Sequence, residues 1–335
     1  MRTIRWGIIG CGDVTEVKSG PGFANARNSA LVAVMRRDGA LAADYARRHG
    51  VPRWHDDAEA ILRAPDIDAV YVATTPETHA SYVLRCAAAG KPVLVEKPMA
   101  LDGAGCSAMI AACDAAGVPL RVAYYRRALP RFLAVRDLVC SGAIGEVRMV
   151  TSRQFQPLRS KDEAPPDGKP WRLEGARSGG GLFLDMMSHT LDILDFLFGP
   201  IAEVRAFAAN RGGAYDVEDV ITASWRFASG VFGSGAYCYA ADRNEEYNEI
   251  VGSAGRIRFS TTRPVPIEVW HRDQCETIDV GDPPHVHQPL IQTFVDELNG
   301  VGQCPSTGQS AARTTRVIDA ILGEYRSASA RRVVQ

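Results

Sequence analysis

The chain has 335 residues, more than a single hydrophobic core usually serves, so two domains are expected. With 46% apolar and 23% charged residues the composition is that of a globular protein, which excludes a disordered chain. Its 38 basic residues against 39 acidic ones leave no basic excess for nucleic acid. The basic pairs Arg36-Arg37, Arg47-Arg48 and Arg126-Arg127 are isolated, and Arg47-Arg48 reads as a solvated helix face. Cysteines at 11, 86, 106, 113, 140, 238, 275 and 304 form no C-x-x-C pair, so no metal or redox signature is present. They read as reduced, mostly buried thiols of a cytosolic protein. No stretch approaches the roughly 20 apolar residues of a membrane span. The first residues enter a strand pattern at once, which leaves no room for a signal peptide.

In chain order, residues 4–10 (IRWGIIG) read as a buried strand closed by glycines. GCGDV follows, with a stretch compatible with a helix after Pro21. A second apolar run covers 31–35, and a helix over 40–49 stops at Gly50. A strand at 69–74 is followed by a Pro76 turn and a helix through Ala89. Residues 92–95 form a strand, 102–116 a helix stopped by Gly117, and 118–124 a strand. Wholly apolar strands alternating with helices mean a parallel sheet covered on both faces. This first domain is placed at 1–122, and 123–335 forms the second.

The pattern then changes. A helix near 130–141, a strand at 146–156, a polar loop with Pro165, Pro166 and Pro170, and a long helix at 182–198 precede several strands. These lie at 201–210, 219–227, 231–240, 247–252, 256–260, 266–271 and 275–280, joined by short turns, so the second sheet is largely antiparallel. Helices near 288–299 and 309–327 end the chain and are placed back against the first domain. The fold class is α/β: a doubly wound parallel sheet plus an α+β domain with a large open, mostly antiparallel sheet.

Gly10-Cys11-Gly12-Asp13-Val14 sits where the first strand meets its turn. Glycines there allow a tight turn and close backbone approach to a pyrophosphate. The full G-x-G-x-x-G pattern wants a small residue at 15, where this chain has Thr15. At the end of the second strand, where an acid would bind ribose hydroxyls, stand Arg36 and Arg37. Arginine attracts a 2′-phosphate, which favours NADP over NAD; the alternative is two exposed arginines at a sheet edge. Glu96-Lys97-Pro98 leaves the strand 92–95 at its carboxyl end, where ligands collect in open α/β sheets. It comes one βα unit after Thr74-Thr75-Pro76-Glu77-Thr78-His79.

The run Gly179-Gly180-Gly181 opens the long helix, and Asp185 and His189 lie four apart on one of its faces. Ser188, Asp192 and Asp195 extend that polar stripe. One reading is an amphipathic helix with its polar side in water. The other is a proton relay, with the glycines clearing space where something approaches closely.

Taken together, GIIGCGDV, ATTPETH, VEKP, Tyr124-Tyr125-Arg126-Arg127, Trp171-Arg172 and GGGLFLDMMSHTLDIL resemble the Gfo/Idh/MocA-type sugar and polyol oxidoreductases, in that family's order, over about residues 4–200. The resemblance implies a Rossmann domain, an open-sheet second domain, and a homodimer or homotetramer formed through that sheet. It implies that Lys97 contacts substrate and nicotinamide, that His189 donates or accepts the proton, and that Asp185 orients the substrate or His189. Pro98 is expected to follow a cis peptide bond. Gly10, Gly12, Asp13, Val14, Arg36, Arg37, Thr74, Thr75, Pro76, His79, Glu96, Lys97, Trp171 and Arg172 are implied on the cofactor side. Tyr125 and Arg127 join Lys97, Asp185 and His189 on the substrate side, and the loop 157–172 shapes the pocket. The implied activity is hydride transfer between a nicotinamide cofactor, NADP or else NAD, and a carbinol or carbonyl carbon of a sugar, polyol or related small molecule. No metal, nucleic acid or membrane partner is implied. Two other readings remain: a dinucleotide-binding redox sensor, although such proteins tend to lose the lysine or histidine, and a glycosidase of the same fold that holds NAD.

Overall fold

The computed structural model describes residues 1–158 and 170–333, so most of the loop expected to shape the pocket, Pro165 and Pro166 included, lies outside the described residues. The elements run β1 (Ile4–Ile9), α1 (Asp13–Val17), α2 (Gly20–Asn25), β2 (Ser29–Met35), α3 (Gly39–His49), β3 (Arg53–His55), α4 (Glu59–Leu62), β4 (Ala69–Val72), α5 (Pro76–Ala88), β5 (Val93–Val95), α6 (Gly103–Ala116) and β6 (Leu120–Val122). There follow α7 (Pro130–Cys140), β7 (Val147–Phe155), α8 (Gly175–Ser178), α9 (Leu182–Phe198), β8 (Ile201–Ala209), β9 (Val220–Phe227), β10 (Phe232–Cys238), β11 (Glu245–Gly252), β12 (Arg256–Phe259), β13 (Ile267–His271), β14 (Gln274–Ile278), α10 (Gln288–Leu298) and α11 (Gly308–Val333). Short 3-10 turns cover Tyr125–Ala128 and Trp171–Leu173. The chain forms two compact units, Met1–Leu129 with Pro283–Ala312, and Pro130–Asp282 with Arg313–Gln335. No helix among the described residues is long and apolar enough to cross a membrane.

The first unit is a six-stranded sheet in the order β3-β2-β1-β4-β5-β6, parallel throughout. Its inner strands are buried on both faces, which explains their unbroken apolar sequences. Gly50 and Gly117 end α3 and α6 in the left-handed region, each at φ 65°, the conformation glycine adopts without a Cβ penalty. Asp38 and Asp102 cap the starts of the same helices. β3 and α4 are additions to the sequence reading: three residues at a sheet edge and four of helix carry no readable period. The segment that returns after the second unit packs α10 against α2 and stacks Phe294 on Trp6 of β1, ring centroids 5.7 Å apart.

The second unit is an eight-stranded sheet in the order β14-β13-β12-β11-β7-β10-β9-β8. It is antiparallel except where β10 runs parallel to β7. α9 packs on one face through Phe183 against Tyr237 and Phe198 against Phe227, at 5.2 and 5.3 Å. The other face leaves Phe207, Phe232 and Met149 exposed. Of the eight cysteines, Cys140 and Cys275 are exposed and five are buried.

The polar stripe of α9 does not face water. Ser188 and Asp192 have no exposed surface and Asp195 keeps 6%. The Arg313 guanidinium donates to both Asp195 oxygens at 2.8 and 2.7 Å, and the Thr314 hydroxyl donates to Asp192. The solvated-face reading of this helix is therefore corrected, because the stripe is covered by α11. Removing one partner of such a pair strands the other's charge. Arg313→Met is expected to lower stability by about 2 kcal/mol, below the roughly 3–5 kcal/mol of a fully buried pair because Arg313 is partly exposed. Urea unfolding at unchanged m-value checks this.

Candidate active site

β1 lies at the middle of the first unit's sheet, between β2 and β4, where the strand order reverses and the carboxyl ends open a crevice. Three chain segments converge on its end. The Gly10 and Cys11 N–H groups donate to the Met35 carbonyl at 2.8 and 3.1 Å, and the Ala73 N–H donates to Ile9. Gly10 adopts φ 94°, and a Cβ there would stand 2.9 Å from the Thr74 nitrogen. Around Gly12 a Cβ would meet nothing within 4 Å, so the loop presents bare backbone beside an open cradle. Asp13 and Val14 open α1. This is the arrangement a pyrophosphate needs, and the residues present fit a bound dinucleotide.

The unexpected Thr15 is fully buried, with its hydroxyl donating to the Gly12 carbonyl at 2.7 Å and its own carbonyl accepting from the Tyr45 hydroxyl. α1 is clamped from α3: the Arg48 guanidinium donates to both oxygens of Glu16 at 2.7 Å, and His49 Nε2 lies 2.7 Å from Glu16 Oε2. Arg48 is thus an anchor rather than only part of a solvated face, whereas Arg47 is largely exposed and pairs with Asp44.

Arg36 and Arg37 are exposed at the end of β2, and Arg36 Nη1 reaches the Cys11 carbonyl at 3.4 Å. The acid beyond them, Asp38, is engaged as the cap of α3, accepting from the Leu41 N–H. Thr75 precedes α5, with Pro76 as its first residue. His79 has no exposed surface. Its Nδ1 lies 3.0 Å from the Pro98 carbonyl and its Nε2 3.0 Å from that of Thr74. It therefore joins the two loops from beneath and presents no surface to a cofactor; burial pushes its pKa below the usual histidine range.

Glu96 is likewise buried. Tyr71 donates to one of its oxygens and the Lys97 N–H to the other at 3.1 Å, while burial raises the carboxyl above the usual range. Its position is that of a brace beneath Lys97, whose own residue is partly exposed and whose bond to Pro98 is cis, as expected. His287 was not anticipated from the sequence. It stacks on the Tyr125 ring at 4.2 Å and its Nδ1 lies 3.6 Å from Glu96. Burial, then repulsion from Lys18, Arg126 and Lys97, holds it down at about 3, so it is neutral at ordinary pH. Arg127 is buried and donates to the Pro305 carbonyl.

In the second unit, Arg172 lies over the Trp171 ring and its Nε is 3.4 Å from Asp185 Oδ2. His189 keeps 7% exposure one turn further along α9. The glycine run has a reason the sequence hides. The Gly181 N–H donates to Glu218 Oε1 at 2.8 Å, and a Cβ on Gly181 would stand 2.7 Å from the Glu218 carbonyl oxygen. What approaches closely is the chain's own β8–β9 connection.

This Rossmann sheet, glycine turn and lysine-bearing strand end define a nicotinamide-dependent oxidoreductase, and the chain belongs to the GFO/IDH/MocA family. That family's NAD-binding Rossmann domain matches residues 4–124 and its C-terminal domain matches residues 132–258. An oxidoreductase of Formosa agariphila is 35% identical over 96% of this chain and 98% of its own length. The 1,5-anhydro-D-fructose reductase of Ensifer adhaerens is 31% identical over 91% of each. The crystal structure of aldose-aldose oxidoreductase from Caulobacter crescentus complexed with glycerol superposes with TM-score 0.85 at 27% identity, over 98% of both chains. The chemistry is hydride transfer at a hydroxyl or carbonyl carbon.

The Glu16 clamp has a pH signature. Its hydrogen bonds with Arg48 hold the Glu16 carboxyl down at about 2, from an ordinary 4.5. A depressed folded-state value stabilises fully above the unfolded value and is lost as pH falls through the folded one. The thermal midpoint of the wild type is expected to exceed that of Glu16→Gln above pH 4.5, with the gap closing towards pH 2. A gap independent of pH would contradict this.

Proposed function

We propose that this protein is an NADP-dependent dehydrogenase or reductase acting on a sugar, polyol or related small molecule, with Lys97, Asp185 and His189 carrying the chemistry. The observation that carries the cofactor preference is at the end of β2. Arg36 reaches over the glycine turn while Asp38 is committed to capping α3. Asp38 gives one oxygen to that cap, and two exposed arginines stand beside it for a 2′-phosphate. Gly10, Gly12, Asp13, Val14, Thr74, Thr75 and Pro76 hold the rest of the dinucleotide, with Trp171 and Arg172 as further cofactor-side residues. Met1–Leu129 with Pro283–Ala312 serve as the nucleotide domain and Pro130–Asp282 with Arg313–Gln335 as the substrate and assembly domain, in place of the expected single division after residue 122.

When bound, the nicotinamide supplies the hydride donor or acceptor. In the oxidative direction His189 takes the hydroxyl proton of the substrate. Lys97 stabilises the negative charge developing on that oxygen. Asp185 orients the substrate or His189, and Tyr125 and Arg127 complete the substrate side. The exposed apolar face with Phe207, Phe232 and Met149 supports a homodimer or homotetramer built through the second sheet, in a cytoplasmic enzyme.

A panel of sugars and polyols, followed at 340 nm with NADP and NAD in parallel, tests the reading. Turnover with NADP preferred is expected; hydrolysis without net cofactor turnover, or no turnover at all, would overturn it. Lys97→Ala and His189→Ala are each expected to lower kcat by about 10²–10⁴-fold with NADPH affinity largely kept. Arg36→Asp is expected to cut the NADP:NAD preference by about tenfold or more, the worth of one charge-assisted hydrogen bond. A wild type that prefers NAD would refute the arginine argument.

A further inference from the structure

We propose that Glu218 is a positioning residue for the reaction: it holds the head of α9 and through it sets Asp185 and His189. This rests on the roles given to those two residues above. Gly181 is the N-cap of α9 and has no side chain with which to cap it. Helix starts leave orphan N–H groups that normally take a nearby Ser, Thr, Asp or Asn. Here the acceptor comes from 37 residues away. Glu218, 1% exposed, accepts the Gly181 N–H at 2.8 Å. The Gly181 carbonyl in turn accepts from the Asp185 N–H at 3.3 Å. His189 stands four residues beyond Asp185, so one hydrogen-bonded row of the helix runs from the Glu218 carboxylate to both functional side chains.

The neighbouring sequence keeps Glu218 in place. Asp219 accepts from the Arg211 and Gly212 N–H groups at 2.7 and 2.6 Å. The Asn210 amide donates to the Tyr215 and Val217 carbonyls and accepts from the Gly213 N–H. A bend so heavily cross-braced gives the carboxylate one position. On the helix side, Gly180 and Gly181 permit its approach: a Cβ on Gly180 would lie 3.2 Å from Glu218 Oε1, and one on Gly181 would lie 2.9 Å from Val217. The Arg326 guanidinium fixes the run from the other end through the Gly179 carbonyl at 2.6 Å. The triple glycine and the distant glutamate are thus two halves of one fitting. A displacement of about 1 Å in a catalytic group can cost about 10² in rate, so this fitting bears on turnover as well as on stability.

The test compares Glu218→Gln, whose amide oxygen can still accept from Gly181, with Glu218→Ala, which cannot. His189→Ala is run beside them, and the activity probe is the sugar or polyol of highest kcat/KM in the panel above. Glu218→Ala is expected to lower kcat by about ten- to a hundredfold at a temperature where it remains folded, with the NADPH dissociation constant within about twofold of wild type. Hydrogen exchange in the segment 181–189 should rise in the same variant. Glu218→Gln should restore kcat and exchange protection to within a few-fold. If Glu218→Ala turns over like the wild type while His189→Ala is inactive, the inference fails and the functional reading stands. If His189→Ala turns over like the wild type, that reading itself fails. Equal damage from Gln and Ala, or loss of NADPH binding alongside kcat, would also overturn the proposal, since the acceptor would then not be what matters.

Discussion

The end of β1 is the constraint on which the nucleotide side depends. Met35 accepts two N–H groups from the turn, Ile9 accepts the N–H of Ala73, and Gly10 is squeezed against the Thr74 backbone at φ 94°. Three strand ends are thereby locked within hydrogen-bonding distance of one another. Any side chain at Gly10 would have to push β4 away or leave its conformation. Because the turn cannot swell, the backbone beyond it, at Gly12, stays bare beside open space. The fit of the turn to the proposed pyrophosphate follows from this packing, before any charged side chain is considered.

A second theme recurs in both units. Each sets a buried glutamate beside residues proposed to carry the chemistry, and each glutamate grips a backbone N–H. Glu96 accepts from Lys97, and Glu218 accepts from Gly181 at the head of the helix bearing Asp185 and His189. Burial raises the carboxyl pKa of both. Desolvating an acid is costly, and each recovers part of that cost through hydrogen bonds from backbone N–H groups. What these residues contribute is fixed geometry where a loop would otherwise be free to shift.

The alternating apolar strands and glycine stops made the first sheet legible, because burial on both faces and a left-handed helix cap each demand particular residue types. Gly50 and Gly117 did what their positions implied. The polar stripe of α9 was harder. Spacing showed that Ser188, Asp192 and Asp195 share a face but not what covers it, since Arg313 and Thr314 come from more than a hundred residues further along. Glu218 and His287 carried no local signal at all. Their meaning lies in partners brought close by topology, Gly181 for one and Tyr125 with Glu96 for the other. His79 was legible as a motif residue but not in its role, because a period or a pattern cannot show that a ring has both nitrogens against backbone carbonyls.

Thr15 shows how a departure from pattern can be absorbed. The third fingerprint position is kept small so that helix and strand can approach. In this chain the threonine is accommodated by turning its hydroxyl onto the Gly12 carbonyl, which satisfies a buried polar group within its own turn. The need for closeness then moves down the chain. A Cβ at Gly20 would overlap the Thr15 carbonyl and the Tyr45 hydroxyl bonded to it. Glycine is therefore required five residues later than the pattern places it. The fingerprint is better understood as a demand for space at the mouth of the turn than as a fixed string of letters, and this sequence meets that demand with Gly10, Gly12 and Gly20.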